Sequence, residues 1–190
     1  PKKTKFGDLK IDKDLLIKKK YIGIEKQLGY MTGPEVWNKF NLTTQIGKRK
    51  WIAQMTDRKK EIEDLNIVIV KAKAEIKNAN IHVLQFLDIL DQIDYIPDTN
   101  ETNVILQLKE YYIKNFNSEE RVNIFNYVEK YTYRVKVLLG FIASHVKNEY
   151  FDVMLKNYYE KTKTRNKVKV NIDLNRLEIN NEWSALFEIT

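Results

Sequence analysis

From residue 62 to residue 93, apolar side chains recur at alternating steps of three and four: Ile62, Leu65, Ile69, Ala72, Ile76, Ala79, Val83, Phe86, Leu90 and Ile93. Such spacing draws one apolar seam along a helix and predicts a continuous rod that ends at Pro97. Val68, Val70, Leu84 and Leu87 flank the seam, so the stripe suits a bundle rather than a bare two-stranded coil. At 1.5 Å per residue a rod over residues 60–96 would measure on the order of 55 Å. A second series, Ile124, Val128, Tyr131, Val135, Leu138 and Ile142, again alternates by four and three. Ser118 opens it, and Val146, Tyr150 and Val153 carry it onward. Between the two lie the break Pro97-Asp98-Thr99-Asn100 and a short helix bearing Val104, Ile105, Leu108, Tyr112 and Phe116. The pattern therefore predicts a mainly α protein built on a long antiparallel helical hairpin over residues 59–160. Ile76 and Phe86, both in the seam, are its candidate assembly residues.

The two ends read differently. Residues 1–58 form broken apolar stretches that predict a small helical module. LLIKKKYIGIEKQLG (15–29) stops at a glycine. Thr32 precedes Gly33-Pro34-Glu35, which reads as a capping box opening the helix with Val36, Trp37 and Phe40. Toward the C-terminus the period drops to two: Val168, Val170, Ile172 and Leu174 alternate with polar residues, and Leu177 and Ile179 resume after Asn175-Arg176. This predicts a β-hairpin inside a third segment, 161–190, that begins with the basic linker KTKTRNKVK. A lone hairpin is barely stable in water. Trp183, Leu186, Phe187 and Ile189 follow it, so the tail is expected to be buried, with Trp183 and Phe187 docking onto a neighbouring chain.

Composition adds a bias in charge. With 43% hydrophobic and 31% charged residues the chain can bury a core. Residues 1–60 carry 16 Lys and Arg against 6 Asp and Glu, whereas residues 61–118 carry 5 against 10. A basic segment beside an acidic one points to a polyanion or an acidic partner surface. There is no cysteine, which excludes disulfides and thiolate metal sites. No apolar run is long enough to span a bilayer, and the basic start leads into no hydrophobic signal region. The expectation is a cytoplasmic or virion-associated protein that is not secreted.

Catalytic chemistry finds little support. His82 and His145 fall within predicted helices and read as packed or surface residues. The glycines are scattered and form no phosphate loop. Asp88, Asp91, Asp94 and Asp98 share one helical arc and read as a solvated face. No enzyme activity, cofactor or metal is expected.

Three cationic triplets stand out: Lys18, Lys19 and Lys20; Lys48, Arg49 and Lys50; Arg58, Lys59 and Lys60. Lysine and arginine supply phosphate affinity by releasing counterions. Within MTGPEVWNKFNLTTQIGKRKWI (31–52), Glu35, Val36, Phe40, Leu42 and Thr43, followed by Trp51-Ile52, resemble the helix-turn-helix segment of excisionase or MerR-type DNA-binding domains. The match departs from that pattern in placing Trp51 one residue late and Gly47 within the second helix. The resemblance implies that Thr44, Gln45, Lys48 and Arg49 face a DNA groove and that Lys50 meets phosphate.

These features predict a non-enzymatic protein that binds or packages duplex DNA and self-assembles. Its parts would be arranged like those of a phage small terminase subunit. The alternative is a structural subunit of a larger assembly, such as a phage head-to-tail connector.

Overall fold

A computed structural model describes residues 3–4, 7–8, 12–146, 148–177 and 181–190. The chain begins with the paired short strands Lys3–Thr4 (β1) and Gly7–Asp8 (β2). Asp12 then caps a short helix, Lys13–Ile17 (α1), by accepting from the amides of Asp14 and Leu15. The helix widens into a π-type turn over Lys18–Ile22.

A four-stranded sheet follows. Gly29–Thr32 (β3) leads into the helix Pro34–Lys39 (α2), and then come the strands Lys50–Gln54 (β4), Lys60–Ile62 (β5) and Ile67–Lys71 (β6). Their spatial order is β3-β4-β6-β5. Only the β4–β6 pair is parallel, because β5 swings outside β6 and returns through Asn66, whose φ is 56°. Alternation along the strands gives the sheet two apolar faces. Ile52, Ile67 and Ile69 pack beneath Ile17 of α1. Tyr30 and Ala53 face the opposite way, against Leu84.

Leu84 belongs to Ile81–Asp91 (α3), the first helix of a bundle. Glu101–Asn115 (α4), Ser118–Val128 (α5), Tyr133–Ala143 (α6) and Glu149–Thr162 (α7) complete it. Asn100, Asn117 and Asn148 cap α4, α5 and α7 through their side-chain oxygens. Every residue of α6 from Val137 to Ala143 is buried, as befits a helix that is apolar all round. It is enclosed by α3, α4, α5 and α7. Val168–Val170 (β7) then pairs in parallel with Phe187–Ile189 (β8).

The architecture is thus a mixed α/β fold and not a long helical hairpin. The predicted rod over 60–96 is divided among β5, β6, a connecting segment and α3. The seam is a coincidence of spacing. Ile67-Val68-Ile69-Val70 is an unbroken β-branched run, which suits a strand covered on both faces better than a helix with one stripe. The second rod is also interrupted, between α5 and α6 and again before α7. The first interruption lets Tyr131 turn inward, where its hydroxyl donates to Asp88 at 2.8 Å.

Three smaller expectations are corrected. Thr32 is not a cap: its hydroxyl donates to Asp88 at 2.8 Å, and Gly33 occupies the N-cap position of α2. The C-terminal strands do not form a hairpin, since β7 takes its partner from the last residues of the chain. Leu177 is buried, while Ile179, its predicted strand mate, lies outside the described residues. Trp183, Leu186 and Phe187 are buried within their own chain, whereas Ile189 is exposed. Trp183 and Phe187 join the core that contains Phe86, and Ile76 is half-buried against the sheet-side cluster.

Candidate nucleic-acid interface

Cross-strand register places Thr32, Trp51, Val68 and Glu61 in one row across the sheet, on the face that looks toward α2 and α3. The row runs from a buried end at Thr32 to an exposed end at Glu61. Trp51 sits between them, half-buried. Its indole lies against Gly33, whose φ of 65° and close approach to the ring both call for a residue without Cβ. Trp37, on the first turns of α2, meets Trp51 at a centroid distance of 6.2 Å and an angle of 59°. The indole N–H of Trp37 is buried with no hydrogen-bond partner among the described residues.

Because α2 covers only part of this face, a groove of about 460 Å³ remains beside it. Trp37, Trp51 and Tyr95 supply its aromatic wall, and Lys48, Arg49 and Lys59 its basic residues. The ammonium of Lys59 lies 5.8 Å from the Trp51 ring centroid, within cation–π range. Arg49 is ion-paired with Glu61, and Lys59 is 3.9 Å from the same carboxylate. Lys48 is exposed and has no ion-pair partner among the described residues. The local balance is three cations against Glu61.

The structure separates the other predicted contacts from this groove. Lys50 turns away from the Trp51 face and pairs with Asp14 of α1 at 2.7 Å and with Glu35 at 3.8 Å. The hydrogen bond to Asp14 is the largest of the causes that raise its pKa. Lys60 pairs in register with Ile69 on the α1 side of the sheet. Lys18, Lys19 and Lys20 are exposed on the π-type turn, and Arg58 is exposed in the β4–β5 connection.

Thr44 and Gln45 are exposed in the loop between α2 and β4. Thr44 lines a separate polar hollow with Asp98 and Asn103. No second helix follows α2: residues 41–49 contain none, and the segment predicted to read DNA runs into β4. Asn41, at φ 57°, ends the α2 turn, and the alternation of Trp51 and Ala53 against Ile52 fits a strand. Tyr95 was not legible as a site residue, since nothing local connects it to Trp51, 44 positions earlier.

Of the aspartate arc only Asp94 and Asp98 are exposed, so it is not a uniformly solvated face. Asp88 is buried and accepts hydrogen bonds from Tyr30 at 2.9 Å, Thr32 at 2.8 Å and Tyr131 at 2.8 Å. Burial pushes its carboxyl up to about 6, against the opposing pull of the three hydroxyls. The same burial, with the aspartate's charge, holds the Tyr30 and Tyr131 phenols far above their usual range, so both remain donors. Asp91 pairs with Lys73 at 3.3 Å, and Asp94 shares Arg134 with Glu101. His82 contacts Glu120 at 3.0 Å. His145 is turned onto the carbonyls of Phe141 and Ile142, and burial lowers its pKa. No group of three His, Asp or Glu among the described residues is placed to hold a metal ion. No helix among them is long and apolar enough to cross a membrane.

Comparison with protein-family models, with curated proteins and with solved structures finds no match.

Proposed function

We propose that the chain is a non-enzymatic nucleic-acid-binding protein that holds a phosphate strand along the Trp51 groove. The supporting observation is the convergence of Lys48, Arg49 and Lys59, from two separate stretches of sequence, around one aromatic-walled depression. Cations at that rim can exchange condensed counterions for protein contact, the main source of sequence-independent affinity. Lys48 and Arg49 directly precede β4 and Lys59 directly precedes β5, while Trp51 is held by strand pairing and by Trp37 of α2, so the site is preformed rather than presented on a free arm. Contact across a sheet face replaces contact through a recognition helix. The test is binding of a labelled oligonucleotide across a salt series. Affinity that falls linearly on a log–log plot supports the reading, whereas absence of binding at low salt removes it.

A further inference from the structure

We propose that the groove between Trp51 and Tyr95 accepts an unpaired nucleobase, so that the preferred ligand is single-stranded. This rests on the nucleic-acid reading above and specifies the form of the strand.

Tyr95 is 73% exposed although Ile93 and Ile96, on either side, are both buried. The single turn Ile93–Tyr95 and the proline after Ile96 tie down its backbone, so the ring is held out by anchored neighbours. Trp51 is backed by Gly33 and Trp37 and leaves part of its surface to the groove. Two aromatic side chains, one firmly supported and one projecting, therefore border a depression of about 460 Å³. That size lies within the roughly 300–1,000 Å³ typical of small-molecule sites.

The charge around it selects the occupant. An apolar peptide would gain nothing from Lys48, Arg49 and Lys59, whereas a nucleotide brings a phosphate for the rim and a flat π face for the wall. A duplex keeps its base faces stacked inside and offers only phosphates and groove edges. An aromatic wall adds affinity only for a strand whose bases are free to turn outward. Stacking on aromatics is tolerant of base identity, so little sequence preference is expected.

The experiment uses the full chain and three fluorescein-labelled probes of about twelve nucleotides, a length within the site sizes of single-strand binders. They are oligothymidine, an abasic strand of equal charge and a blunt duplex, each followed by anisotropy across a salt series. Oligothymidine should bind tightest. Tyr95→Ala should weaken its binding roughly five- to a hundredfold, and Tyr95→Phe should preserve it. Tyr95→Ala should leave abasic-strand binding and the salt slope unchanged, because stacking carries no charge. An exposed ring can be removed without disturbing the core, and a melting curve checks this. Equal affinity for oligothymidine and the abasic strand, a preference for duplex, or an unaltered Tyr95→Ala would overturn the base site while leaving phosphate binding intact. Failure to bind any probe would overturn both readings.

Discussion

The indole of Trp183 lies directly on the α-carbon of Gly140, near the centre of α6. A side chain at Gly140 would occupy the space the ring now fills. Trp183 has no exposed surface and stacks with Tyr158 at a centroid distance of 5.9 Å. Phe187 meets Phe141 edge-on at 5.1 Å. The last residues of the chain therefore close the bundle over its most apolar helix.

Trp183→Ala should cost about 3–5 kcal/mol of unfolding free energy, as expected for a large buried aromatic. Gly140→Ala should cost about 1–3 kcal/mol through overpacking. In the double variant the alanine methyl enters the space vacated by the indole, so its added cost should nearly vanish. Urea denaturation of the four proteins forms the cycle. Strictly additive costs would show that the two residues do not share this contact.

Asp88 should give the fold an unusual pH dependence. Its folded-state pKa, raised to about 6, means that the folded chain holds this proton more tightly than the unfolded chain. The contribution is fully present below the usual carboxylate pKa and is lost as pH rises through about 6. Its full size is on the order of 3 kcal/mol. Asparagine can retain the geometry: its oxygen can accept from Tyr30 and Thr32, and its amide can donate to the Tyr131 oxygen. Asp88→Asn should therefore gain stability relative to wild type as pH rises from about 4 to 7. Parallel urea midpoints for the two proteins across that range would refute the shifted pKa.

Local signals were legible where a few neighbouring residues determine the outcome. Gly33-Pro34 starts α2, Pro97 separates the Ile93–Tyr95 turn from α4, and Val104, Leu108 and Tyr112 mark the buried face of α4. The alternation of Val168 and Val170 marks β7. Strand partners were not legible, because pairing Trp51 with Val68, or Val168 with Phe187, depends on residues distant in sequence. Part of the basic surface is visible in Lys48, Arg49 and Lys59, but sequence alone does not separate them from Lys50 and Lys60. That separation depends on the twofold alternation of a strand whose residues also fit a helical pattern.

Phe86 and Ile76 illustrate the difference between seam and structure. Phe86 is fully buried in the bundle, at 5.3 Å from Phe116 and 5.9 Å from Tyr112. Ile76 is only half-buried, in the segment between β6 and α3. Phe86→Ala should cost about 3–5 kcal/mol, and Ile76→Ala well under the roughly 2 kcal/mol at which fully buried Ile→Ala changes begin. Chemical denaturation distinguishes the two outcomes. Equal destabilisation would show that Ile76 is as fully enclosed as Phe86.

The groove makes a prediction about which lysines matter to a bound strand. Lys48 and Lys59 border it, whereas Lys50 is engaged by Asp14 and Glu35, and Lys60 lies on the α1 side of the sheet. Each single-strand phosphate that a lysine no longer neutralises should lower the salt slope by about 0.7. The pair Lys48→Ala and Lys59→Ala should therefore lower it by about 1.4, while Lys50→Ala with Lys60→Ala should leave it unchanged. The second pair removes equal charge from the same basic segment, so it controls for net charge alone. Removing the exposed Lys50 ion pairs should cost no more than about 1 kcal/mol, leaving the second variant folded for the comparison. Oligothymidine titrations at several salt concentrations give both slopes. Equal reductions would mean that the strand senses the overall field of the basic segment and is not seated at the Trp51 groove.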